Sequence, residues 1–236
     1  LRSADRGEDD PLVLAGGPSV YNPEPFAPFV DAVLIGEGEE HLVEVCAEHR
    51  RLRDAGATRS EVLAALSRIP GTYVPSLYEV SHEGACTAHG YAVPRAGTDA
   101  PAEVRKRVVA DFAATDPVPQ SIVPYAKLVH DRLSVEVLRG CARGCRFCQA
   151  GMTYRPVRER GADQIVSAVM SGLARTGYDE VSLTSLSTTD HSCCRQVLAR
   201  LNRRLEDTGI SVSIPSQRLD AFGVDMALQV AGEKKG

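Results

Sequence analysis

The sequence Cys141-Ala142-Arg143-Gly144-Cys145-Arg146-Phe147-Cys148 decides how the rest of this chain is interpreted. Its three thiols are spaced by four and then three residues in a short loop that contains a glycine. Residues 133–138, just before the loop, are rich in branched apolar side chains and predict a strand. A helical pattern follows the loop. This order places three soft ligands at the carboxyl end of a parallel strand, where α/β proteins build their sites.

Three thiolates favour an iron–sulfur cluster with one open iron over a closed structural zinc site. A closed structural zinc site takes four ligands, and four cysteines normally hold an iron–sulfur cube. With three cysteines, a [4Fe–4S] cluster keeps one iron open for a substrate or cofactor. Two alternatives stay open at this point. One is a zinc-stabilised nucleic-acid-binding module, and the other is a simple iron–sulfur electron-transfer protein.

The CxxxCxxC spacing, with the aromatic Phe147 directly before the last cysteine, resembles the radical S-adenosylmethionine (SAM) superfamily. The resemblance implies that Cys141, Cys145 and Cys148 hold a [4Fe–4S] cluster whose open iron binds the amino and carboxylate groups of SAM. It also implies reductive cleavage of SAM to methionine and a 5′-deoxyadenosyl radical, and it places Phe147 near the adenine. The electron would come from an external flavodoxin- or ferredoxin-like reductant. The substrate stays unknown, and methyl or methylthio transfer is one possible final reaction.

Length and composition are those of an ordinary soluble α/β protein. A chain of 236 residues holds one large or two modest domains. Its net charge of −4 gives no general attraction to nucleic acid or to anionic membranes. Seven cysteines form an odd set, and three of them belong to a motif that needs reduced thiols, so a reducing cytoplasm is expected. No apolar run approaches the length of a membrane span.

The amino-terminal part predicts two buried strands, each followed by a glycine turn. Residues 11–19 end the first strand in Gly16-Gly17, and residues 31–39 end the second in Gly36-Glu37-Gly38-Glu39. A helix is expected from about Glu39 to Asp54, with Leu42, Val45, Cys46 and Leu52 on its apolar side. This layout resembles the last third of the cobalamin-binding domain that precedes the barrel in many radical SAM proteins, although plain αβ turns explain the glycines equally well.

Cobalamin binding is left undecided by the sequence. The DxHxxG loop that ligates cobalt in many such domains would lie upstream of Leu1, and His41, His49 and Asp190-His191 do not match it. These histidines are expected at the surface or at helix caps. The chain starts without methionine and stops at Gly236 within a predicted helix, which indicates a fragment of a longer protein.

The predicted domain organisation has three parts. Residues 1–57 are the remnant of the cobalamin-binding-type domain, residues 58–130 a connecting region, and residues 131–236 the first half of a (βα)6 partial TIM barrel. The connecting region starts with a short amphipathic helix over residues 60–68. From residue 81 to residue 124 prolines are frequent and periodicity is lost, so this stretch is expected to be a strap between domains. Cys46 and Cys86 have no partners at ligand spacing and are expected to pack in the interior.

The carboxyl-terminal part predicts alternating strands and helices, with all loops of interest on one rim. Helices are expected over residues 163–175, closed by Gly177, and around Val197, Leu201 and Leu205. Strands are expected over residues 179–186 and 210–214. Cys193 and Cys194 are adjacent, so their side chains diverge on a helix, and packing is their expected role.

The resemblance also suggests which residues contact SAM. The family often binds the methionine amino group through a GGE sequence after the second strand. Here that loop reads Leu186-Ser187-Thr188-Thr189-Asp190, so the hydroxyls of Ser187 and Thr188 are the candidates, with helix capping by Thr189 or Asp190 as the alternative. Ser216 and Arg218 are candidates for the ribose or carboxylate, with local turn bonds or substrate contacts as the alternative. Six arginines near the cysteines are expected to balance the cluster charge or attract an anionic substrate: Arg139, Arg143, Arg146, Arg155, Arg158 and Arg160.

Overall fold

The computed structural model describes residues 2–82, 90–117, 122–126, 128–218, 220–221 and 223–230. The chain forms two compact units, Leu1–Ala110 and Asp111–Gly236. The expected connecting region 58–130 is therefore divided between the two units. Among the described residues, no helix has the length and apolar character that crossing a membrane requires.

The first unit is built on a three-stranded sheet in the order β1-β2-β3. β1 and β2 are parallel, as the sequence predicts, and β3 is antiparallel to β2. A separate antiparallel hairpin is formed by β4 and β5. The elements are β1 (Leu14–Gly16), β2 (Ala32–Leu34), α1 (Gly38–Asp54), α2 (Arg59–Leu66), β3 (Thr72–Tyr73), β4 (Tyr78–Ser81) and β5 (Tyr91–Pro94). Val62, Leu63 and Leu66 of α2 are buried, as predicted.

Helix α1 buries a different set of side chains from the predicted one. Val45 is buried, but Leu42 and Cys46 are exposed, so the interior role expected for Cys46 is wrong. His41, expected at the surface, is fully buried, and its Nε2 lies 2.8 Å from Thr72 Oγ1. The imidazole enters the interior because the Thr72 hydroxyl on β3 satisfies one of its nitrogens. Cys86 lies outside the described residues.

Part of the expected strap is ordered within the first unit. β5 lies within residues 81–124, and Arg107 forms a bridge with Gly36. The Arg107 N–H donates to Ile35 O at 2.8 Å, and the Glu37 N–H donates to Arg107 O at 3.0 Å. Gly36 has φ +111°, and a Cβ there would collide with the Arg107 backbone. This close backbone approach is a structural reason for the glycine.

The second unit follows the predicted βα order. Its central sheet has the order β10-β9-β6, and both strand pairs are parallel. A short antiparallel hairpin pairs β7 with β8. The elements are β6 (Leu133–Glu136), β7 (Leu138–Arg139), α3 (Ala150–Thr153), β8 (Arg158–Glu159), α4 (Ala162–Thr176), β9 (Glu180–Thr184), α5 (Cys194–Leu205), β10 (Ser211–Ser213) and α6 (Val224–Val230).

Helices α4 and α5 cover one face of this sheet. Gly177 ends α4 in the left-handed conformation with φ +71°, and its N–H donates to Leu173 O, which confirms the predicted cap. Val197, Leu201 and Leu205 of α5 are buried against the sheet, as predicted. Cys194 belongs to this core and confirms the packing role, whereas Cys193 is half-buried at the position before α5.

The opposite face of the sheet is polar. Along β9, Val181 and Leu183 enter the core against the helices, so Ser182 between them faces the other side. Ser182 is paired in register with Ser134 of β6 and with Ser213 of β10. The hydroxyls of Ser182 and Ser213 are buried and have no hydrogen-bond partner among the described residues.

Candidate metal and cofactor site

The cysteine motif forms a loop that leaves the sheet after β7 and returns to it in β8. Gly140 starts the loop with φ +86°, and a Cβ there would lie 2.7 Å from Tyr154 O. The returning segment therefore passes directly over the outgoing one, which only a glycine permits. Arg155 reinforces this closure, since its Nε donates to Gly151 O at 3.1 Å and to Cys141 O at 3.4 Å.

The three thiols of this loop are free and accessible. Cys145 is exposed, and Cys141 and Cys148 are partly exposed. The Cys148 N–H donates to Cys145 O at 3.0 Å, and the Gly151 N–H approaches Cys148 Sγ at 3.3 Å. Hydrogen bonds to sulfur stabilise thiolates and tune iron–sulfur clusters.

The donor set fits a cluster better than a single ion. No three His, Cys, Asp or Glu side chains in the described part of the chain lie close enough together to hold one metal ion. In an iron–sulfur cube each cysteine binds a different iron, so the thiols need not converge on one point. Three accessible thiols in one loop are the donors that such a cluster requires.

Phe147, predicted to pack near the adenine, is 92% exposed. The loop therefore presents this ring on its surface, next to Cys148. Its packing against the adenine stays a prediction.

Ser187 and Thr188 are placed differently from the expectation. Both are buried, at 4% and 1% exposure. Thr188 Oγ1 lies 3.2 Å from Leu183 O and 2.8 Å from Ser185 Oγ, and Ser187 Oγ donates to Asp190 Oδ2 at 2.8 Å. These hydroxyls shape the loop after β9 from inside. A direct bond from Thr188 to a ligand is thus not supported, because its hydroxyl is enclosed and already bonded.

The helix-capping alternative for this loop is also wrong. Thr188–Asp190 form a short 3-10 turn, and α5 begins only at Cys194. Cys193 occupies the capping position, and its N–H donates to Nδ1 of the buried His191 at 3.0 Å. His191 Nε2 lies 3.0 Å from Arg160 O. Of the two positions expected for His191, the surface is wrong, because the ring is buried, and the cap is confirmed, because His191 is the C-terminal cap residue of the Thr188–Asp190 turn.

Ser216 and Arg218 lie in the loop after β10 and contact the loop after β9. Ser216 O accepts the Thr188 N–H at 2.8 Å. Arg218 Nη1 lies 3.4 Å from Asp190 Oδ1, and Arg218 Nη2 also pairs with Asp220. Both residues are partly exposed. These contacts run to the loop after β9 and to Asp220, and the roles of Ser216 and Arg218 toward SAM or substrate stay predictions.

The sequence analysis considered Asp190 only as a possible helix cap and missed its pairing with arginines. Its carboxylate accepts two hydrogen bonds from Arg143, Nε to Oδ2 at 2.9 Å and Nη2 to Oδ1 at 2.5 Å. These bonds, with those from Ser187 and the nearby charge of Arg218, lower the pKa of Asp190 to about 2. The sequence does carry a signal for this pairing. Asp190 follows one strand, and Arg143 and Arg218 follow two others whose carboxyl ends lie at the same edge of the sheet.

Some of the arginines near the cysteines bind protein groups, and the expected effect of the six on the cluster charge or on an anionic substrate stays a prediction. Arg139 forms a bidentate pair with Glu136. Arg160 is buried, and it donates to the carbonyl oxygens of Glu136, Phe112 and Thr115. The guanidinium carbons of Arg160 and Arg139 lie 4.1 and 4.9 Å from the centre of the Phe112 ring. These contacts fix residues 112–115 against the rest of the second unit.

A cavity of about 290 Å³ opens at the carboxyl ends of β6 and β9. It is lined by Glu136, Leu138, Arg139, Gly140, Tyr154, Thr184, Ser185 and Leu186. Its volume is near the lower limit for a small-molecule site. A larger cavity of about 460 Å³ lies wholly within the first unit, between β1, α1 and α2. The smaller one adjoins the start of the cysteine loop, so it is the better candidate for a ligand of that loop.

Two family models match this chain, one near its start and one in its second unit. A family model described as "Radical SAM proteins, N-terminal" matches residues 1–75, and one described as "Radical SAM superfamily" matches residues 135–232. An uncharacterised protein from Methanocaldococcus jannaschii is 32% identical over 92 residues, which are 39% of this chain and 20% of that relative.

Two solved structures of one enzyme are also similar. They are the radical S-adenosylmethionine methyltransferase TsrM from Kitasatospora setae, one with cobalamin and a [4Fe-4S] cluster bound, the other with tryptophan substrate and the SAM analogue aza-SAM. The first has a TM-score of 0.46 and 18% identity, over 83% of this chain and 34% of TsrM. The second has a TM-score of 0.45 and 19% identity, over 82% of this chain and 33% of TsrM. The chain thus spans about a third of the length of this enzyme.

Proposed function

Because this chain belongs to the radical SAM superfamily, we propose that it is part of an enzyme that cleaves SAM reductively at a [4Fe–4S] cluster held by Cys141, Cys145 and Cys148. The observation that carries the proposal is the loop of three free thiols within residues 135–232, the part that the superfamily model matches. When bound, the cluster would supply the electron that cleaves SAM to methionine and a 5′-deoxyadenosyl radical.

The residues of this chain would bind and orient that cofactor. The Gly151 N–H, 3.3 Å from Cys148 Sγ, would stabilise the thiolate form of Cys148. The closure of the loop at Gly140 would hold Cys141 at the end of β7, and Arg155 would keep the returning segment in place. The cavity above β6 and β9 would receive the part of SAM or substrate that reaches past the loop.

We propose that the second unit is the first half of a (βα)6 partial barrel whose polar face turns to the lumen. Three parallel strands with helices on one face support this, as do Ser134, Ser182 and Ser213 side by side on the other face. The first unit would correspond to the end of a cobalamin-binding-type domain. The match of residues 1–75 to the N-terminal radical SAM model supports an accessory domain there and leaves cobalamin open.

The test is anaerobic reconstitution with iron and sulfide, followed by iron analysis and EPR spectra with and without SAM. We expect four irons per chain and an EPR signal that changes when SAM is added. Zinc retention in place of iron would favour the nucleic-acid-binding alternative. A cluster signal that ignores SAM would favour electron transfer alone.

The ligand assignment has its own variants. Cys141→Ala, Cys145→Ala and Cys148→Ala should each abolish the cluster, because each removes one of only three thiolate ligands. Cys193→Ala and Cys194→Ala are the matched controls, since the structure places these thiols at the start of α5. A full complement of four irons in any of the first three variants would disprove the assignment.

A further inference from the structure

One carboxylate joins the three loops at the carboxyl ends of β6/β7, β9 and β10. Asp190 lies in the loop after β9. It accepts both hydrogen bonds of the Arg143 guanidinium at 2.9 and 2.5 Å, and Arg143 lies between Cys141 and Cys145. Arg218, from the loop after β10, reaches the same carboxylate at 3.4 Å. A planar guanidinium held at two points has a defined orientation, so this contact also restrains the backbone that carries it.

The middle of the cysteine loop is otherwise open to solvent. Cys145 is exposed, Phe147 is 92% exposed, and Gly144 adopts a left-handed conformation with φ +66°. Few packing contacts restrain a segment of this kind, so its preferred shape depends on specific polar contacts. The Arg143–Asp190 pair is such a contact, and it spans 47 residues of sequence.

Asp190 is itself held in place from within its loop. Ser187 donates to Asp190 Oδ2 at 2.8 Å, and Ser187 is buried. The backbone of the loop is fixed to the loop after β10 by the Thr188 N–H, 2.8 Å from Ser216 O. The carboxylate is therefore positioned before any ligand arrives. This gives Ser187 and Thr188 a function at the site that does not require either hydroxyl to touch a ligand.

We propose that Asp190 is a positioning residue for the cluster. By holding Arg143, it fixes the segment between Cys141 and Cys145 in the geometry that the cluster requires, and it neutralises the guanidinium charge beside that cluster. The inference rests on the proposed function, because it assumes that the three thiols bind iron. It adds a residue outside the cysteine motif that controls both the retention and the reduction potential of the cluster.

The reduction potential of the cluster distinguishes this proposal from a purely structural role, because it responds to the charges of Asp190 and Arg143. Asp190→Asn removes the carboxylate that pairs with Arg143, while Arg218 keeps its pair with Asp220, so one positive charge near the cluster loses its counter-charge and the cluster potential should shift to more positive values. Arg143→Gln removes a positive charge and leaves Asp190, so the potential should shift to more negative values. The double variant should lie between the two. A loop that is only loosened would shift both single variants in the same direction.

The experiment uses the full chain after reconstitution with iron and sulfide. Potentials are read from EPR-monitored redox titrations without SAM, and retention is read from the rate at which a ferrous chelator removes iron. Each single variant should lose iron about fivefold faster than the wild type, as loss of a contact of about 1 kcal/mol implies. Asp163→Asn is the matched control, because it breaks an Arg200–Asp163 pair of 2.6 Å at a side chain that is 92% exposed.

The outcomes separate this inference from the proposed function. Wild-type protein that fails to bind four irons would overturn both. Wild-type protein with a SAM-responsive cluster, but unchanged potential and iron release in Asp190→Asn and Arg143→Gln, would overturn only the positioning role. Arg143 is half-exposed, so Arg143→Gln keeps the test decisive even if Asp190→Asn does not fold.

Discussion

Each unit contains one aspartate that pairs with two arginines, and the two aspartates are buried to different degrees. Asp31 of the first unit pairs with Arg6 and Arg59, both at 2.9 Å, and its side chain is 1% exposed. Asp190 of the second unit pairs with Arg143 and Arg218, and its side chain is 20% exposed. Each aspartate pairs with two arginines, and the degree of burial is the main difference between the two places.

The difference separates a structural ion pair from one that can serve a site. Asp31 also accepts the Val13 N–H at 2.7 Å, and Arg6 and Arg59 are both about nine-tenths buried, so this cluster joins the segment before β1 to β2 and α2. Asp190 instead joins loops whose other groups remain open to solvent. Buried charges depend on their partners for solvation, whereas half-exposed charges exchange partners for water at low cost.

The largest expected effect is that of Asp31→Ala on the stability of the first unit. Removing this carboxylate leaves two buried guanidinium groups without a counter-charge, which costs about 3–5 kcal/mol. Hydrogen exchange of the β1 and β2 amides, measured by mass spectrometry, reports this loss for the first unit alone. Asp163→Ala, on an exposed pair, should change stability by less than about 0.5 kcal/mol. Protection of β1 and β2 at the wild-type level in Asp31→Ala would contradict the structural role.

A smaller effect on stability is expected from His41, a second buried polar side chain of the first unit. Burial, and then the charge of Arg107, lower its pKa below 6.5. The folded state thus favours the neutral form of His41. The contribution of this histidine to the free energy of unfolding should be complete above pH 6.5. It should be lost as the pH falls below 6.5, by at most about 1.4 kcal/mol per pH unit. His41→Gln should flatten this dependence in urea unfolding between pH 7.5 and 5.5, while His49→Gln on the same helix should not.

The smallest effect is that of Asp190 on stability. Its pKa of about 2, lowered mainly by the hydrogen bonds from Arg143, lies below the ordinary value of 3.8. This contribution is therefore present above about pH 4 and is lost as the pH falls toward 2. Solvent exposure limits it to about 1 kcal/mol. Asp190→Asn in the iron-free protein should lose that amount at pH 6 and show less acid sensitivity than the wild type. A loss as large as that of Asp31→Ala would show that burial does not distinguish the two aspartates.

Elements set by local pattern could be predicted from the sequence. Helices α1, α2, α4 and α5 lie where apolar spacing and end signals indicate, and β6, β9 and β10 follow the expected order. The cysteine loop also lies where predicted, because its strand and its glycines are encoded within about twenty residues. The pairing of Arg107 with Gly36, just after β2, was missed, because nothing local marks a segment that pairs with a backbone about seventy residues earlier.

The sequence by itself determined the chemistry of this protein: three thiols at a fixed spacing, on a loop at the end of a parallel strand, within a βα series. Only the tertiary structure decided which polar side chains are enclosed and which stay at the site. Ser187 and Thr188 were expected to contact SAM and are buried with partners in their own loop, Asp190 for Ser187 and Ser185 for Thr188. His41 and His191 were expected at the surface or at helix caps and are buried, because Thr72 Oγ1 and Arg160 O, each distant in sequence, lie beside one ring nitrogen of each. Asp31 and Asp190 acquire their roles in the same way, from arginines 25 to 47 residues away. Contacts between polar residues distant in sequence leave no periodic trace in a chain, so hydrophobic spacing could not reveal them.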